Sequence, residues 1–428
     1  MSGYLRSLNP RLPRSVQILQ LGGLLNGIGN GLVLPFTFIY LHNERGFSLG
    51  LAGLILGVNG AVSLLVGPLS GTLVDRLGGK RVLGLALFFL MLGYGGYALV
   101  ERPWHAFLAS ALTGIGNGLF WAAQSTLIAG LTPAERRPAA FAMQRVVMNL
   151  GIGIGGLLGG FLAAASFRLL FVGDALTFVL YAAVLVAFVP QPERVHRREG
   201  ERAGTYRDVF RYRVFVALLV VNSVYVFAGY AMLELIAPYA KNEASVGEQW
   251  IGPIFAINTL VIVLAQLPIA RLAEGRRRMP IFASIGVVWA ASWLLVPVAG
   301  LWFAGVAAAM MISLAAAVFA IGECLHGAVQ APLVADLADP RLLGRYMAMS
   351  AFSWQVGFTI GPPIGGVLLS ASPTGLWIFA ASVCLAAAVG ALALERALPE
   401  GVRRSPVSDR RDPDEAEMVS GTRVESPA

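Results

Sequence analysis

Apolar residues in this chain come in long, nearly unbroken runs, not at the spacing of a helix that buries one stripe. A membrane-crossing helix needs about 17–25 mostly apolar residues. Twelve segments meet that length, at 16–41, 50–73, 82–100, 104–131, 139–166, 169–189, 214–240, 250–272, 280–299, 302–335, 346–371 and 374–395. Most links between them are short. The ninth and tenth segments are separated only by "VPVAGLW" at 296–302. One link is long and polar, "PQPERVHRREGERAGTYRDVFRYR" at 190–213, and it divides six segments from six. It reads as a solvated linker that can lie on a membrane surface. The pattern predicts an all-α integral membrane protein of twelve transmembrane helices. Its parts are a six-helix bundle at 1–189, a linker at 190–213, a second six-helix bundle at 214–395 and a polar, disordered tail at 396–428.

Charge orients this map. Only 13% of the 428 residues are charged and 57% are hydrophobic, against roughly 25% charged in a soluble domain. If both termini lie on the cytoplasmic side, only Arg45, Arg102, Arg168 and Lys241 of the 32 Lys and Arg fall at the outer ends. An odd helix count would put the basic N-terminus and the C-terminal tail on opposite sides. The net charge of +8 is spread over links between apolar runs, which argues for a membrane surface and against nucleic acid as partner. Arg6, Arg11 and Arg14 precede an apolar run longer than the ~7–15 residues of a secretion signal, so the first segment is expected to stay in the membrane. Cys324 and Cys384 each sit inside an apolar run and imply neither a disulfide framework nor a metal cluster.

The two halves repeat. A shift of 206 residues places Gln124 on Gln330, Leu127 on Leu333 and "GIGIGGLLGG" (151–160) on "GFTIGPPIGG" (357–366). A shift of 199 places Asn59 on Asn258 and Asp75 on Glu274. Within the first half, "GIGNGL" occurs twice, at 27–32 and 114–119. Asn30, Asn117 and Glu323 thereby take equivalent places near mid-span, and Tyr230 in "FAGYAM" takes the fourth. Weak symmetry between halves is the mark of transporter folds, whose binding site lies at the repeat interface near the bilayer midplane.

"GTLVDRLGGKR" (71–81) follows the second segment. With twelve spans divided six and six, the chain resembles the major facilitator superfamily over nearly its whole length. That family's signature, G-x-L-x-D-R-x-G-x-R/K-R/K between helices two and three, is matched by Gly71, Leu73, Asp75, Arg76, Gly78, Lys80 and Arg81. "GRYMA" (344–348) and the glycine-rich fifth helix look most like the bacterial twelve-helix drug:proton antiporters. Two departures stand out. The antiporter signature G-x-x-x-G-P-x-x-G-G reads Gly155-Gly156 in helix five, and its intact form, Gly357, Gly361, Pro362, Gly365 and Gly366, lies in helix eleven. Ser110 stands where the family carries an arginine linked to proton coupling.

The resemblance implies a multi-pass protein of the cell (inner) membrane with both termini cytoplasmic. It implies a monomer working by alternating access, exporting small amphipathic or drug-like molecules in exchange for protons. The alternative is a metabolite or sugar symporter or facilitator of the same fold. It further implies that Asp75 reaches across to the second half near Gly344–Arg345. With Arg76, Lys80, Arg81, Arg136 and Arg145 it would form a cytoplasmic gate, latched when the opposite mouth opens.

Acids at mid-span are costly and therefore functional candidates. Glu323 comes first as a proton carrier, with His326 on the same helix face three residues on. Glu234 comes second, since Pro238, four residues later, places it at a bend. Asp174 is expected to be structural. Asn26, Asn30, Asn117, Gln124, Gln330 and Gln355, with Trp121, Tyr225, Tyr230 and Trp354, are expected to line a substrate cavity suited to amphipathic or cationic molecules; Asn59, Asn222 and Asn258 are further polar candidates. Gly151, Gly155 and Gly159, and Gly357, Gly361 and Gly365 with Pro362 as a candidate kink, form rows that let helices approach closely. No cofactor, metal or catalytic constellation is expected. "GIGIGG" lacks the strand that a dinucleotide site needs, and "GGK" lacks P-loop spacing.

Overall fold

The computed structural model describes residues 12–133, 137–191, 206–338 and 343–405. It contains twelve long helices: α1 (Arg14–Val33), α2 (Leu49–Leu77), α3 (Gly79–Tyr97), α4 (Pro103–Leu131), α5 (Arg137–Ala165), α6 (Phe167–Phe188), α7 (Arg213–Tyr225), α8 (Glu248–Ala273), α9 (Arg278–Trp302), α10 (Gly305–Leu337), α11 (Leu343–Ala371) and α12 (Pro373–Leu394). Ten of them, counted with their continuations, are long and apolar enough to cross a membrane. The other two are α3, whose first turn carries Lys80 and Arg81, and α11, which carries Ser350, Ser353, Gln355 and two prolines.

Prolines break two of the helices. α1 stops at Val33, turns through Pro35 and resumes at Thr37–Ile39 and a π-turn at Tyr40–Glu44. α7 passes through a π-turn at Val226–Tyr230 and a short piece at Ala231–Leu233, then breaks at Glu234 and Leu235 before Ile236–Asn242. Pro238 has no N–H for the Glu234 carbonyl, so the break falls where the sequence placed the bend. The stretch at 296–302 behaves differently. It belongs to α9, which runs through Pro297 to Trp302, and only Phe303 and Ala304 link it to α10.

The halves are built alike. In the first, α1 packs on α5 and α6, α4 on α2 and α3, and α3 on α6; in the second, α7 packs on α11 and α12, α10 on α8 and α9, and α9 on α12. The halves meet along two seams, α2 on α11 and α5 on α8, which exchange under the same symmetry.

The glycine rows explain the close packing inside a half. A Cβ on Gly151 would meet the Leu24 carbonyl oxygen at 2.7 Å, and one on Gly159 would meet that of Leu32 at 3.0 Å. Gly151, Gly155 and Gly159 therefore seat α5 on α1. Gly357, Gly361 and Gly365 seat α11 on Val226, Ala231 and Leu235 of α7 and its continuation. Neither row joins the halves. The seams use other residues: Gly53 and Gly57 against Pro362 and Pro363, Gly60 against Thr359, Gly156 and Gly160 against Gly252, and Gly153 against Thr259.

Both seams run from the end opposite the chain termini to mid-helix and then part. Ser63 and Gln355, joined by a hydrogen bond of 3.0 Å, are the last pair of the α2–α11 seam. Beyond them nothing lies within 4 Å of a Cβ on Gly67 or Gly71. Leu65 of α2 and Leu264 of α8 are 73% and 66% exposed. At the other end, Asn43 donates to Asn242 across the halves at 2.7 Å, and one buried apolar core unites residues of both halves. A second core, of Val16, Leu83, Phe120, Tyr181 and their neighbours, belongs to the first half alone. The molecule is thus closed at the face opposite its termini and open as a cleft at the termini face.

The sequence predicts a disordered tail over 396–428; residues 406–428 lie outside the described residues, and the part before them is ordered. Through residue 405 it packs on the α8–α9 link: Arg277 Nε donates to Glu395 at 2.6 Å, and Gly275 and Arg276 exchange backbone hydrogen bonds with Ser405.

Candidate functional site

The two "GIGNGL" copies do the same work. In α1, Gly27 and Gly31 face α5 and Gly29 faces Asp174 of α6; in α4, Gly114 and Gly118 face α2 and Gly116 faces Leu90 of α3. Glycines on two sides leave the remaining face to Asn30 and Asn117, both partly buried. The equivalence of Asn117 with Glu323 and of Asn59 with Asn258 appears as matching contacts. Asn117 Nδ2 donates to Asn59 Oδ1 at 3.4 Å, and Asn59 Nδ2 donates to Thr113 at 2.6 Å. In the second half, Asn258 Nδ2 donates to Glu323 Oε2 at 2.6 Å.

His326 turns away from Glu323, toward α7. Its Nε2 lies 2.8 Å from Asn222 Oδ1, and Asn222 Nδ2 donates to Ser353 Oγ at 2.8 Å, so the bonding pattern assigns the proton to Nε2. Ser353 donates to the Ser350 carbonyl, and Gln330 Nε2 donates to Ser350 Oγ at 2.8 Å. The Tyr230 hydroxyl stands 3.5 Å from His326 Nδ1. Tyr230, Trp289 and Trp354 surround the imidazole with their rings. A buried network of this kind is costly to break. Asn222→Ala strands the Nε2 proton and is expected to cost about 1–3 kcal/mol. A lower Tm in detergent would register it; an unchanged Tm would remove the network from the stability of the second half.

Several residues assigned to the cavity by sequence lie elsewhere. Tyr225 is fully buried, its hydroxyl bonded to the Phe282 carbonyl at 2.8 Å and its ring against Phe282 and Trp289. Gln124 is buried in the first half and donates to Tyr181. Asn26 is buried against Met148, and Gln330 is held by Ser350. Asn30, Asn117, Tyr230, Trp354 and Gln355 stay partly accessible, and Trp121 is exposed. Glu234, in the α7 break, is partly buried and within electrostatic reach of Tyr94 and Tyr97 in the other half. Asp174 is fully buried, with Thr177 bonded to Oδ1 and Oδ2 unpartnered.

The gate residues divide. Residues 71–77 are the last turns of α2, and Gly78, at φ +85°, is the whole link to α3. An L side chain there would be strained and would strike Gln191. Lys80 donates to the Val186 carbonyl at 3.1 Å, capping the last turn of α6 in its own half. Arg76 and Arg81 are exposed. The Asp75 side chain and Arg136 lie outside the described residues. Arg145 is exposed on α5 within electrostatic reach of Tyr230 and His326 of the second half. This puts a cation on the wall facing the Glu323 helix, a place the sequence reading had not given it.

Against this geometry, a family model described as Major Facilitator Superfamily matches residues 19–321 and 227–420. The chain belongs to the major facilitator superfamily. Its relatives within that superfamily include an uncharacterized MFS-type transporter, YqjV of Bacillus subtilis, 26% identical over 372 residues, covering 85% of this chain and 88% of the relative. Multidrug resistance protein MdtH of Shigella dysenteriae is 27% identical over 350 residues, covering 82% and 85%. Among solved structures, the nucleoside transporter NupG superposes with a TM-score of 0.74 at 13% identity, covering 89% of this chain and 100% of that one. A peptide transporter, POT, gives 0.76 at 16% identity, covering 92% and 96%. The multi-pass, two-bundle fold is that of the superfamily.

Proposed function

We propose that this superfamily transporter is a secondary active exporter that exchanges protons for small amphipathic molecules. Glu323 carries the reading: it is a carboxyl at mid-span of α10, at the depth where the two halves part. Its one hydrogen bond among the described residues comes from a neutral amide. A carboxyl in that setting is expensive to keep unless its charge is used. The ring of Tyr230 against Trp354 beside it suits flat or cationic molecules, and the name of the MdtH relative supports the drug-like class. With the basic links facing the cytoplasm, the open cleft faces inward and the closed mouth outward.

Glu323→Gln removes the titrating group and keeps the side chain's shape. In proteoliposomes it is expected to abolish dye accumulation driven by a pH gradient while leaving insertion normal. Undiminished pH-driven flux in that variant would overturn the assignment.

A further inference from the structure

The two polar pairs at mid-span occupy a particular place. Asn59 is on α2 and Asn258 on α8, the two helices that carry the seams. The residue after each makes a tight contact with the other half near the point where the seam opens. A Cβ on Gly60 would stand 2.7 Å from Thr359 Oγ1 of α11, and one on Gly153 of α5 would stand 3.1 Å from Thr259 Cγ2. Past Thr259, Leu260 and Leu264 of α8 are exposed. Each seam therefore has a pivot, and each pivot is backed from inside its own half by an asparagine.

The backing differs. Behind Asn59 stand Thr113 and Asn117, whose hydrogen bonds do not change with pH. Behind Asn258 stands Glu323. As a carboxylate, Glu323 accepts the amide N–H in a charge-assisted bond, roughly twice as strong as a neutral one. As a neutral acid it offers a weaker acceptor, or a hydroxyl that needs an acceptor itself. Tyr230 on α7 and Cys324 on α10 are the titratable groups within electrostatic reach of Glu323, and His326 on α10 and Arg145 on α5 interact with that phenol and with one another. From α8 it accepts the Asn258 amide, and from α9 the indole of Trp289 packs at the neighbouring Gly322.

We propose that Asn258 is a positioning residue that ties the charge state of Glu323 to the α5–α8 pivot, so that protonation loosens one seam and leaves the other unchanged. The inference rests on Glu323 being the proton carrier. It adds the route by which that event reaches the interface between halves, and it makes the conformational change asymmetric.

The test uses the full chain in liposomes, with Leu150→Cys on α5 and Leu264→Cys on α8 carrying spin labels. Both positions are exposed at the open end, and the native cysteines are buried. Pulsed spin-resonance distances are measured on the acid and alkaline sides of neutrality. The doubly labelled parent is expected to change its distance distribution with pH. Glu323→Gln is expected to hold the acid-side distribution at both. Asn258→Ala is expected to lose the pH-dependent change, and Asn258→Ser, too short to reach the carboxylate, carries the same expectation if the alanine variant fails to insert. Asn59→Ala is expected to keep the change, whatever it does to transport rate. A pH response that survives Glu323→Gln overturns the proton-carrier reading. A response lost in Glu323→Gln but intact in the Asn258 variants overturns the relay alone. A response lost equally in Asn59→Ala overturns the asymmetry.

Discussion

Cells expressing Gly155→Leu are expected to contain little folded protein, and what is extracted should melt well below the parent. A Cβ at Gly155 meets the backbone of Ile28 and the Gly31 Cα at 2.9 Å. Both neighbours are main chain, so no flexible side-chain end can yield, and α1 and α5 must move apart. Overpacking costs about 1–3 kcal/mol in ordinary cores and more where nothing can shift, against a total stability of roughly 5–15 kcal/mol. Displacing α5 also disturbs Gly27 and Gly31, which interlock with it along the same face. Fluorescence-monitored gel filtration of the detergent extract measures the outcome. A monodisperse peak of parental height would show that the α1–α5 contact tolerates separation.

The same substitution at Gly53 is expected to give the opposite phenotype: normal abundance with transport reduced about fivefold or more. Gly53 meets the Pro362 carbonyl and the Pro363 Cα, the latter at 3.2 Å from a built Cβ. Those atoms belong to the other half. Each half can fold, and the clash appears only when the mouth opposite the termini closes. A penalty of about 1–3 kcal/mol on that state shifts the conformational equilibrium roughly 5- to 150-fold. Flux in proteoliposomes beside a Tm measurement separates the two effects. A Gly53→Leu chain that transports at the parental rate would show that this seam does not close tightly during the cycle.

These glycines mark how far the sequence could be read. Twelve spans, their two-fold repeat and the bend at Glu234 were legible, because long apolar runs and a proline four residues past an acid have direct physical consequences. The partner of each glycine row was not. Helices that are apolar all round have no polar face to show which side meets which neighbour, so the rows in α5 and α11 turn out to build each half. The same blindness misplaces Tyr225 and Gln124, since a phenol or amide that bonds inside a helix bundle looks in sequence like one that lines a cavity. It also leaves Arg145 with the gate, where a basic residue near a helix start would ordinarily belong. The pairing of Asn117 and Glu323 with their asparagines was within reach: the two register shifts already set those four positions in correspondence, and only the distances were missing. At 296–302 the apolar pattern was continuous, and α9 runs through Pro297 to Trp302 without ending there.

The closed mouth has one more property. Among the described residues, no ion pair crosses between the halves there. What holds it is glycine against backbone, proline and threonine, the Asn43–Asn242 and Ser63–Gln355 hydrogen bonds, and the Lys241 ammonium over the Phe167 ring at 5.8 Å. Opening it leaves no charge stranded in a medium of low dielectric, so added salt has little to screen. It does wet apolar surface, and the free energy of doing so varies with temperature through a large heat capacity. Warming and cooling, far more than ionic strength, should set how often this transporter opens the face opposite its termini.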